Sequence, residues 1–358
     1  MSQLRATIQS YESANVEKIR PKTLISYVYT EGAINRRNLQ FFIDHGLHES
    51  SHFVFSFNGD TDAYKLLPIY EDSPNRKPGH NYSNIEVLTR DNKCFDMGAH
   101  GEAFLREWDE KKKTWTPMRG HDQGGRKFWE DFDRFILMNA SVRGPFIPIS
   151  DMECWMERFF SLISEKIKLV GMSYNCHGSE PGKGHVQSMV WALDRVGIKL
   201  LMEKPSNDGR SGGIGWWCPF DMPDAIKGEL RGTIAMRDAG YESTSIELVA
   251  HAHDSEGGVE GEGTKKWKEE CTTEDYWHEN DYFGFNVHPY ETVFTKAARD
   301  MQKYLVGNFT EWTDGSGYSS YERCDGRWDG RWKGAQVIDG TLTDTVGEIK
   351  DKQLGETV

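Results

Sequence analysis

The chain lacks any long apolar run. No segment approaches the ~20 consecutive apolar residues that a membrane-spanning helix requires, and the polar stretch 1–20 has no hydrophobic region of the kind found in signal peptides. The sequence therefore predicts no transmembrane segment and no secretory leader. We expect a cytoplasmic protein.

Cationic residues are in deficit. The chain has 43 Lys and Arg against 56 Asp and Glu, which gives a formal net charge of −13. Proteins that bind nucleic acid use Lys and Arg to neutralise phosphates, so this balance argues against a nucleic-acid partner. It does not argue against a local basic pocket for one phosphorylated ligand.

The six cysteines are scattered and form no C-x-x-C pair. In a cytosolic protein this pattern predicts reduced, mostly buried thiols.

What is present favours an α/β fold. Hydrophobic residues make up only 37% of the chain, but aromatics make up 12%, and each aromatic ring buries a large area. Four β-branched and aromatic segments in the first 140 residues, separated by helical or loop stretches, predict a largely parallel sheet. The predicted strands span 24–30, 52–58, 85–89 and 134–138, and a helix after residue 102 is predicted to reach about residue 112. Later segments predict a helix over 151–165, a strand over 167–173, a helix over 185–196 and a strand over 198–202.

Polar residues stand where the predicted strands end. In parallel sheets ligands bind beyond the carboxyl ends of the strands, so these residues are the first functional signal. The simpler alternative is that strands generally run into polar loops. The candidates are Tyr29, Thr30, Asn58, Arg90, Asp91, Asn139, Ser141 and Arg143.

Three common enzyme motifs are missing or defective. The segment 178–184 has three residues between its glycines where a phosphate-binding loop requires four, and Gly184 stands where that loop has Ser or Thr. The chain has no G-x-S-x-G nucleophile elbow, because its match at 209–213 does not directly follow a predicted strand, and no G-x-G-x-x-G follows the first strand. Nucleotide triphosphatases, serine hydrolases and simple dinucleotide dehydrogenases therefore lose support.

Two sequence patterns are typical of metal-binding sites. His251 and His253 follow an apparent strand over 246–250, and alternate strand residues point to one side, so a metal-dependent hydrolase is one alternative. Polar histidines at a strand end are the other interpretation. The triplets 60–62 and 131–133 are Asp-x-Asp, which suits a metal–diphosphate complex. Neither stands at the end of the fourth strand, so metal use stays open.

The order of the segments resembles a glycosyltransferase family of the GT-A type. The family includes rhamnan-synthesis-like proteins and glycosyltransferases of fungi, algae and large algal viruses. The stretches 90–102, 135–146 and 286–296 carry the resemblance, which covers roughly residues 22–312. It implies a GT-A-like, Rossmann-like sheet flanked by helices, with an irregular C-terminal extension. The implied divisions are an N-terminal extension 1–21, a nucleotide-sugar half 22–205, an acceptor-side half 206–337 and a flexible tail 338–358.

The family comparison further implies transfer of a monosaccharide from a UDP- or GDP-sugar to a glycan or glycoprotein acceptor, in the host cytoplasm for a viral member. Tyr29 and Thr30 would lie near the nucleotide, and the turn 90–98 would line its pocket with Asp96 as an acceptor. Asn139 and Ser141 take the place of the metal-binding Asp-x-Asp, so Mn²⁺ or Mg²⁺ has little support. Arg143 would supply positive charge instead.

The reaction also needs a group that activates the acceptor hydroxyl. Glu291 is the first candidate, with Asp96 and His185 behind it, and Gln187 is expected to hold a sugar hydroxyl. A salt bridge from Glu291 to Lys296 or Arg299 is the structural alternative. The aromatic excess also suits a non-catalytic glycan-binding module.

Overall fold

The structure is a computed structural model that describes residues 21–117, 125–180, 183–203, 213–251, 275–299 and 303–325. These residues form an α/β fold with a seven-stranded, mostly parallel central sheet flanked by helices. None of the helices in the described ranges combines the length and apolar character needed to cross a bilayer.

The elements are numbered in chain order. The strands are β1 Thr23–Thr30, β2 Ser51–Asn58, β3 Ile85–Arg90, β4 Glu107–Asp109, β5 Thr114–Thr116, β6 Arg134–Asn139, β7 Val142–Arg143, β8 Ile167–Gly171, β9 Tyr174–Glu180, β10 Lys183–Val186, β11 Val190–Asp194, β12 Glu242–Ser245 and β13 Thr295–Lys296. The helices are α1 Ala33–His45, α2 Phe95–Phe104, α3 Glu157–Phe160, α4 Arg195–Met202, α5 Met222–Asp238, α6 Pro289–Thr292, α7 Lys303–Ser316 and α8 Ser320–Cys324.

The central sheet has the order β12-β8-β11-β6-β1-β2-β3. Only β11 runs antiparallel to its neighbours β6 and β8. The chain starts at β1, adds β2 and β3 on one side, and then crosses to β6 on the other side of β1. The point between β1 and β6 is therefore a topological switch point, where open α/β sheets bind ligands.

The inner strands β8, β11, β6, β1 and β2 are buried on both faces because they are mostly apolar. Tyr27 and Phe55 pack with Phe42 of α1 on one face, whereas Phe135 and Trp191 pack with Phe104 of α2 on the other. Alternate residues of each strand supply the two clusters. The strands predicted over 24–30, 52–58, 85–89, 134–138 and 167–173 are confirmed, with ends shifted by no more than two residues.

The predictions over 185–202 were wrong. Strands β10 and β11 occupy most of the predicted helix, and α4 replaces the predicted strand. Strand β11 lies between β6 and β8, so it is buried on both sides and shows no alternation of polar and apolar residues. The Asp194 side chain then accepts a hydrogen bond from Gly197 N at 2.9 Å and caps α4.

Two other predicted helices are shorter than expected. Helix α2, expected to reach about residue 112, ends at Phe104 and is followed by the β4–β5 pair, whose Trp108 and Trp115 rings pack at 5.2 Å. The helix predicted over 151–165 is reduced to α3, because the preceding residues form turns in which Asp151 accepts from Glu153 N.

Four cysteines form disulfides, which corrects the prediction of reduced thiols. Cys94 pairs with Cys218, and Cys154 pairs with Cys324. The partners are 124 and 170 residues apart in sequence, so no local spacing indicates the pairing. Residues 1–20 and 338–358, as well as His253, lie outside the described residues, so the expectations for them stay predictions.

Candidate functional site

Hydrogen bonds connect the carboxyl ends of β1, β2 and β3. Asn58 Nδ2 donates to Thr30 Oγ1 at 3.3 Å, and Arg90 Nη1 donates to Asn58 Oδ1 at 2.8 Å. Arg90 also forms a two-pronged ion pair with Glu102, at 2.7 and 2.6 Å. The predicted residues Thr30, Asn58 and Arg90 therefore lie in one row along the sheet edge.

A second group follows at the end of β6, across the switch point. Asn139 Nδ2 donates to Asp96 Oδ2 at 2.7 Å, and Asn139 Oδ1 accepts from the Ser141 hydroxyl at 2.6 Å. Asp96 Oδ1 accepts from Met97 N at 2.9 Å. Burial raises the pKa of Asp96, and the hydrogen bond from Asn139 partly opposes that rise. Three residues expected from sequence thus form one hydrogen-bonded group.

These residues do not fit a divalent metal. The group offers one carboxylate, and both polar ends of the Asn139 amide are already used, whereas hard cations prefer several oxygen ligands. Of the two Asp-x-Asp triplets, the first has Asp62 ion-paired with Arg36 at 2.7 Å. The second lies at the opposite edge of the sheet, before β6, where Asp131 lies 3.3 Å from Arg126.

A second carboxylate approaches this edge from α5. Glu229 Oε1 accepts from Ser188 N at 2.7 Å, and His185 Nε2 lies 3.9 Å from its other oxygen. Helix α5 packs closely on α2, since a methyl group at Gly228 would stand 3.8 Å from Met97 Cγ. Burial raises the pKa of Glu229, and the charge of Asp96 adds to the effect.

Two cations border the same edge. Lys296 Nζ lies 3.8 Å and Arg299 Nη2 3.0 Å from one oxygen of Asp275. Strand β13 pairs with β7, and Ala297 N donates to Ser141 O at 3.2 Å. This pairing places Lys296 beside the hydrogen-bonded group of Asp96, Asn139 and Ser141, called the Asn139 group below. Burial lowers the pKa of Lys296. Sequence reasoning treated both cations only as partners for Glu291, although Lys296 ends one of the family-like stretches.

Gln187 is more enclosed than a sugar-binding side chain needs to be. It is 4% exposed, and its Oε1 accepts from Ser173 Oγ at 2.7 Å and from Trp277 Nε1 at 2.9 Å. Its Nε2 donates to Asp275 at 3.3 Å. Gln187 is therefore a buried residue whose hydrogen bond helps to hold Asp275 in place.

Tyr29 and Arg143 do not join these groups. Tyr29 is fully buried against Phe57, with ring centroids 5.3 Å apart, and burial raises its pKa to about 12. Arg143 is 5% exposed and donates to Asn38 Oδ1 at 2.9 Å and to Thr310 Oγ1 at 3.1 Å, between α1 and α7. Their roles in ligand binding stay predictions.

Glu291 lines a cavity that contains none of the site residues described above. Its Oε1 accepts from Leu248 N at 2.8 Å and from Tyr282 OH at 2.6 Å, whereas Lys296 and Arg299 pair with Asp275. The cavity measures ≈ 360 Å³ and is also lined by Asp151, Glu153, Arg158, Ser161, Leu162, Ile246 and His251.

The premise for a two-histidine metal site at His251 is wrong. Residues 248–251 form a 3₁₀ turn after β12 rather than a strand, so side chains do not alternate there. His251 Nε2 donates to Ser245 O at 2.6 Å.

Two cavities open beyond β2 and β3. The first measures ≈ 500 Å³ and is lined by Gly59, Asp60, Thr89, Arg90, Asp91 and Asn92. The second measures ≈ 540 Å³ and is lined by Asn92, Lys93, Cys94, Phe95, Cys218, Pro219 and Phe220. Both cavities are lined by Asn92, so they adjoin each other. Together they form a depression beyond the carboxyl end of β3. Asp91, a predicted ligand contact, is exposed here and pairs with Lys93 at 2.7 Å.

Sequence reasoning missed Glu247. It is fully buried after β12, where its Oε2 accepts from Tyr174 N at 2.8 Å and from Ser245 Oγ at 3.0 Å. Its Oε1 finds no hydrogen-bond partner among the residues described. Burial raises the pKa of Glu247 to about 8, and the charges of Glu291 and Asp275 contribute. No local motif marks such a residue.

The fold is compatible with the Rossmann-like class, since helices cover both faces of a mostly parallel sheet. Comparison with protein-family models and with curated proteins gives no match for this chain. Its function must therefore be argued from the geometry of the site.

Proposed function

We propose that the chain is a GT-A-type glycosyltransferase that moves a monosaccharide from a nucleoside-diphosphate sugar to a glycan or glycoprotein acceptor. The observation that carries this proposal is the polar sheet edge at the switch point between β1 and β6, with the Asp96–Asn139 hydrogen bond beside it. The family-like stretches 90–102 and 286–296 contribute residues to this same edge.

The donor's nucleoside fits the row on β1 to β3. Thr30, Asn58 and Arg90 offer hydroxyl, amide and guanidinium groups, and the two joined cavities adjoin them. A uracil or guanine base and a ribose need such fixed donors and acceptors for orientation. UDP- and GDP-sugars are the proposed donors.

Lys296 and Arg299 would stabilise the departing diphosphate. Breaking the sugar–phosphate bond leaves negative charge on the diphosphate, and fixed cations can compensate it. Both side chains share the single carboxylate of Asp275, so this group has a net positive charge next to Ser141. The Asn139 group does not fit a metal, so the proposal routes no step through one.

Glu229 would take the proton from the acceptor hydroxyl as that oxygen attacks the anomeric carbon. A raised pKa makes a carboxylate a stronger base, and the Ser188 N–H fixes one of its oxygens. Its side chain is 20% exposed and so can be reached by an acceptor. Asp96 is the second carboxylate at this edge.

Calorimetric titration with UDP, GDP, dTDP and their sugars tests the proposal. We expect one of the nucleotides to bind. The variant Lys296→Gln should lower the affinity for that nucleoside diphosphate by about 10-fold or more and leave the affinity for the uncharged nucleoside unchanged. Lys227→Gln is the matched control, because Lys227 is an exposed lysine paired with Asp224 on α5.

Absence of binding by every donor would overturn the proposal, and sugar binding without nucleotide binding would favour a glycan-binding module. An active preparation should keep its activity in EDTA, since Lys296 and Arg299 supply the positive charge.

A further inference from the structure

A second cluster of reactive side chains lies near the amino ends of the central strands, away from the proposed active site. The Cys154–Cys324 disulfide joins α8 to the segment before α3, and His48 stands beside it in the turn between α1 and β2. A ring nitrogen of His48 and the two sulfur atoms all lie within 4.8 Å of one another. All three residues are buried, at 1%, 7% and 7% exposure.

His48 has one ring nitrogen to spare. Its Nδ1 is hydrogen-bonded to Ser50 Oγ at 2.9 Å, whereas its Nε2 is buried and has no hydrogen-bond partner in the part of the chain that the structure describes. Buried polar atoms are rarely left unpaired in native proteins, so this nitrogen calls for an explanation. Histidine metal ligands typically hydrogen-bond through the nitrogen that does not bind the metal, as Nδ1 does here.

The spacing suits a tetrahedral zinc ion once the disulfide is open. Zinc binds sulfur at ~2.3 Å and nitrogen at ~2.0 Å, which puts tetrahedral ligand atoms roughly 3.5–3.8 Å apart. The sulfurs must separate and the imidazole must move inward by a small distance. Cys324 is the last residue of the short helix α8, so its shift leaves the central sheet undisturbed.

The site is also accessible. Cys154 and Cys324 line a cavity of ≈ 420 Å³, together with Ser50, Met152 and Met156. A small dithiol can therefore reach the disulfide from solvent. The same opening leaves room for a water molecule as a fourth ligand.

We propose that reduction of Cys154–Cys324 creates a zinc site formed by the two thiolates and His48 Nε2. A dithiol reductant supplies two electrons and two protons to the disulfide and becomes a disulfide itself. Zn²⁺ then replaces the two thiol protons, which pass to solvent. The disulfide and the zinc complex are thus alternative cross-links between α8 and the body of the fold.

Cobalt binding tests this inference independently of any transferase activity. The untagged full chain, in a Cys94→Ser/Cys218→Ser background that removes the other described disulfide, is reduced, freed of reductant under argon and titrated with Co²⁺. We expect one equivalent to give the visible bands of tetrahedral cobalt–thiolate, and Zn²⁺ to abolish them. The oxidised protein should give no bands.

His48→Gln keeps both cysteines and should weaken cobalt binding by at least about 10-fold, which identifies the imidazole as a ligand. Cys154→Ser should abolish the bands. If that variant does not fold, His48→Gln decides the matter, because its disulfide is intact before reduction. Absence of bands in the reduced parent, or bands of undiminished affinity in His48→Gln, would overturn the proposal.

Discussion

At the scale of single residues, Glu247 links folding to pH. Its carboxyl group is fully buried, and this burial raises its pKa from the ordinary 4.5 to about 8 in the folded chain. The folded state therefore holds a proton that the unfolded chain releases above its own pKa. This contribution favours folding at low pH and is lost as the pH rises between about 4.5 and 8.

We predict that Glu247→Gln flattens this dependence. The amide keeps an acceptor for Tyr174 N and never ionises, so the variant should gain stability over the parent at pH 8.5 but not at pH 4.5. The expected difference is on the order of a few kcal/mol in the free energy of unfolding. Urea denaturation at both pH values measures it, and parallel pH profiles for parent and variant would contradict it.

Single residues also show where sequence reasoning stops. Asp96, Asn139 and Ser141 are predicted as site residues because they lie in family-like stretches close to the ends of predicted strands, and the structure joins them by hydrogen bonds. Glu229 and Asp275 carry no such mark. They reach the edge from a helix and a loop through contacts between residues far apart in sequence, which periodicity does not report.

At the scale of elements, helix α5 depends on a glycine where it crosses the sheet. A methyl group at Gly232 would stand 2.7 Å from Trp191 Cζ2, and that indole is fully buried in β11. A side chain at this position pushes α5 away from the sheet, whereas Gly228 on the same helix has only ordinary neighbours at 3.7 Å or more.

We predict that Gly232→Ala destabilises the fold by about 1–3 kcal/mol through overpacking. Gly228→Ala is the matched control and should be neutral or slightly stabilising, because alanine favours helix over glycine. Chemical denaturation compares the two. Equal stability of both variants would show that α5 moves away from Trp191 at little cost.

Elements were predicted well where pattern and environment agree. Strands β1, β2, β3 and β6 are apolar, β-branched or aromatic, and bounded by polar turns, so their positions followed from sequence. The prediction for the segment 185–202 was wrong because both its strand and its helix are apolar and short, so their patterns cannot be told apart. Burial between β6 and β8, together with the cap at Asp194, decides the outcome, and neither is visible before the sheet is assembled.

At the scale of the whole molecule, the two disulfides of the described residues constrain most of the chain. They close loops of 124 and 170 residues, and each is expected to disfavour the unfolded state by roughly 5 kcal/mol on the chain-entropy model.

We predict that reduction in the presence of a chelator lowers the melting temperature by on the order of 10 °C. Differential scanning calorimetry with and without reductant measures the shift. Cys94→Ser/Cys218→Ser and Cys154→Ser/Cys324→Ser should each retain only part of the response, which assigns it to the individual bridges. An unchanged melting temperature in the parent would contradict the prediction.

The antiparallel direction of β11 has an evolutionary consequence. Strand β8 leaves the sheet at the candidate edge and β11 re-enters there, and between them the chain forms the β9–β10 pair. The two ends of this excursion are held together, since Ser173 Oγ donates to Gln187 Oε1 at 2.7 Å and Gln187 N donates to Ser173 O at 3.0 Å. Because these bonds fix where the excursion begins and ends, a change of length at the far end of β9–β10, between Glu180 and Lys183, should leave the pairing of β8 with β11 intact, so this is where the chain can vary without losing its sheet.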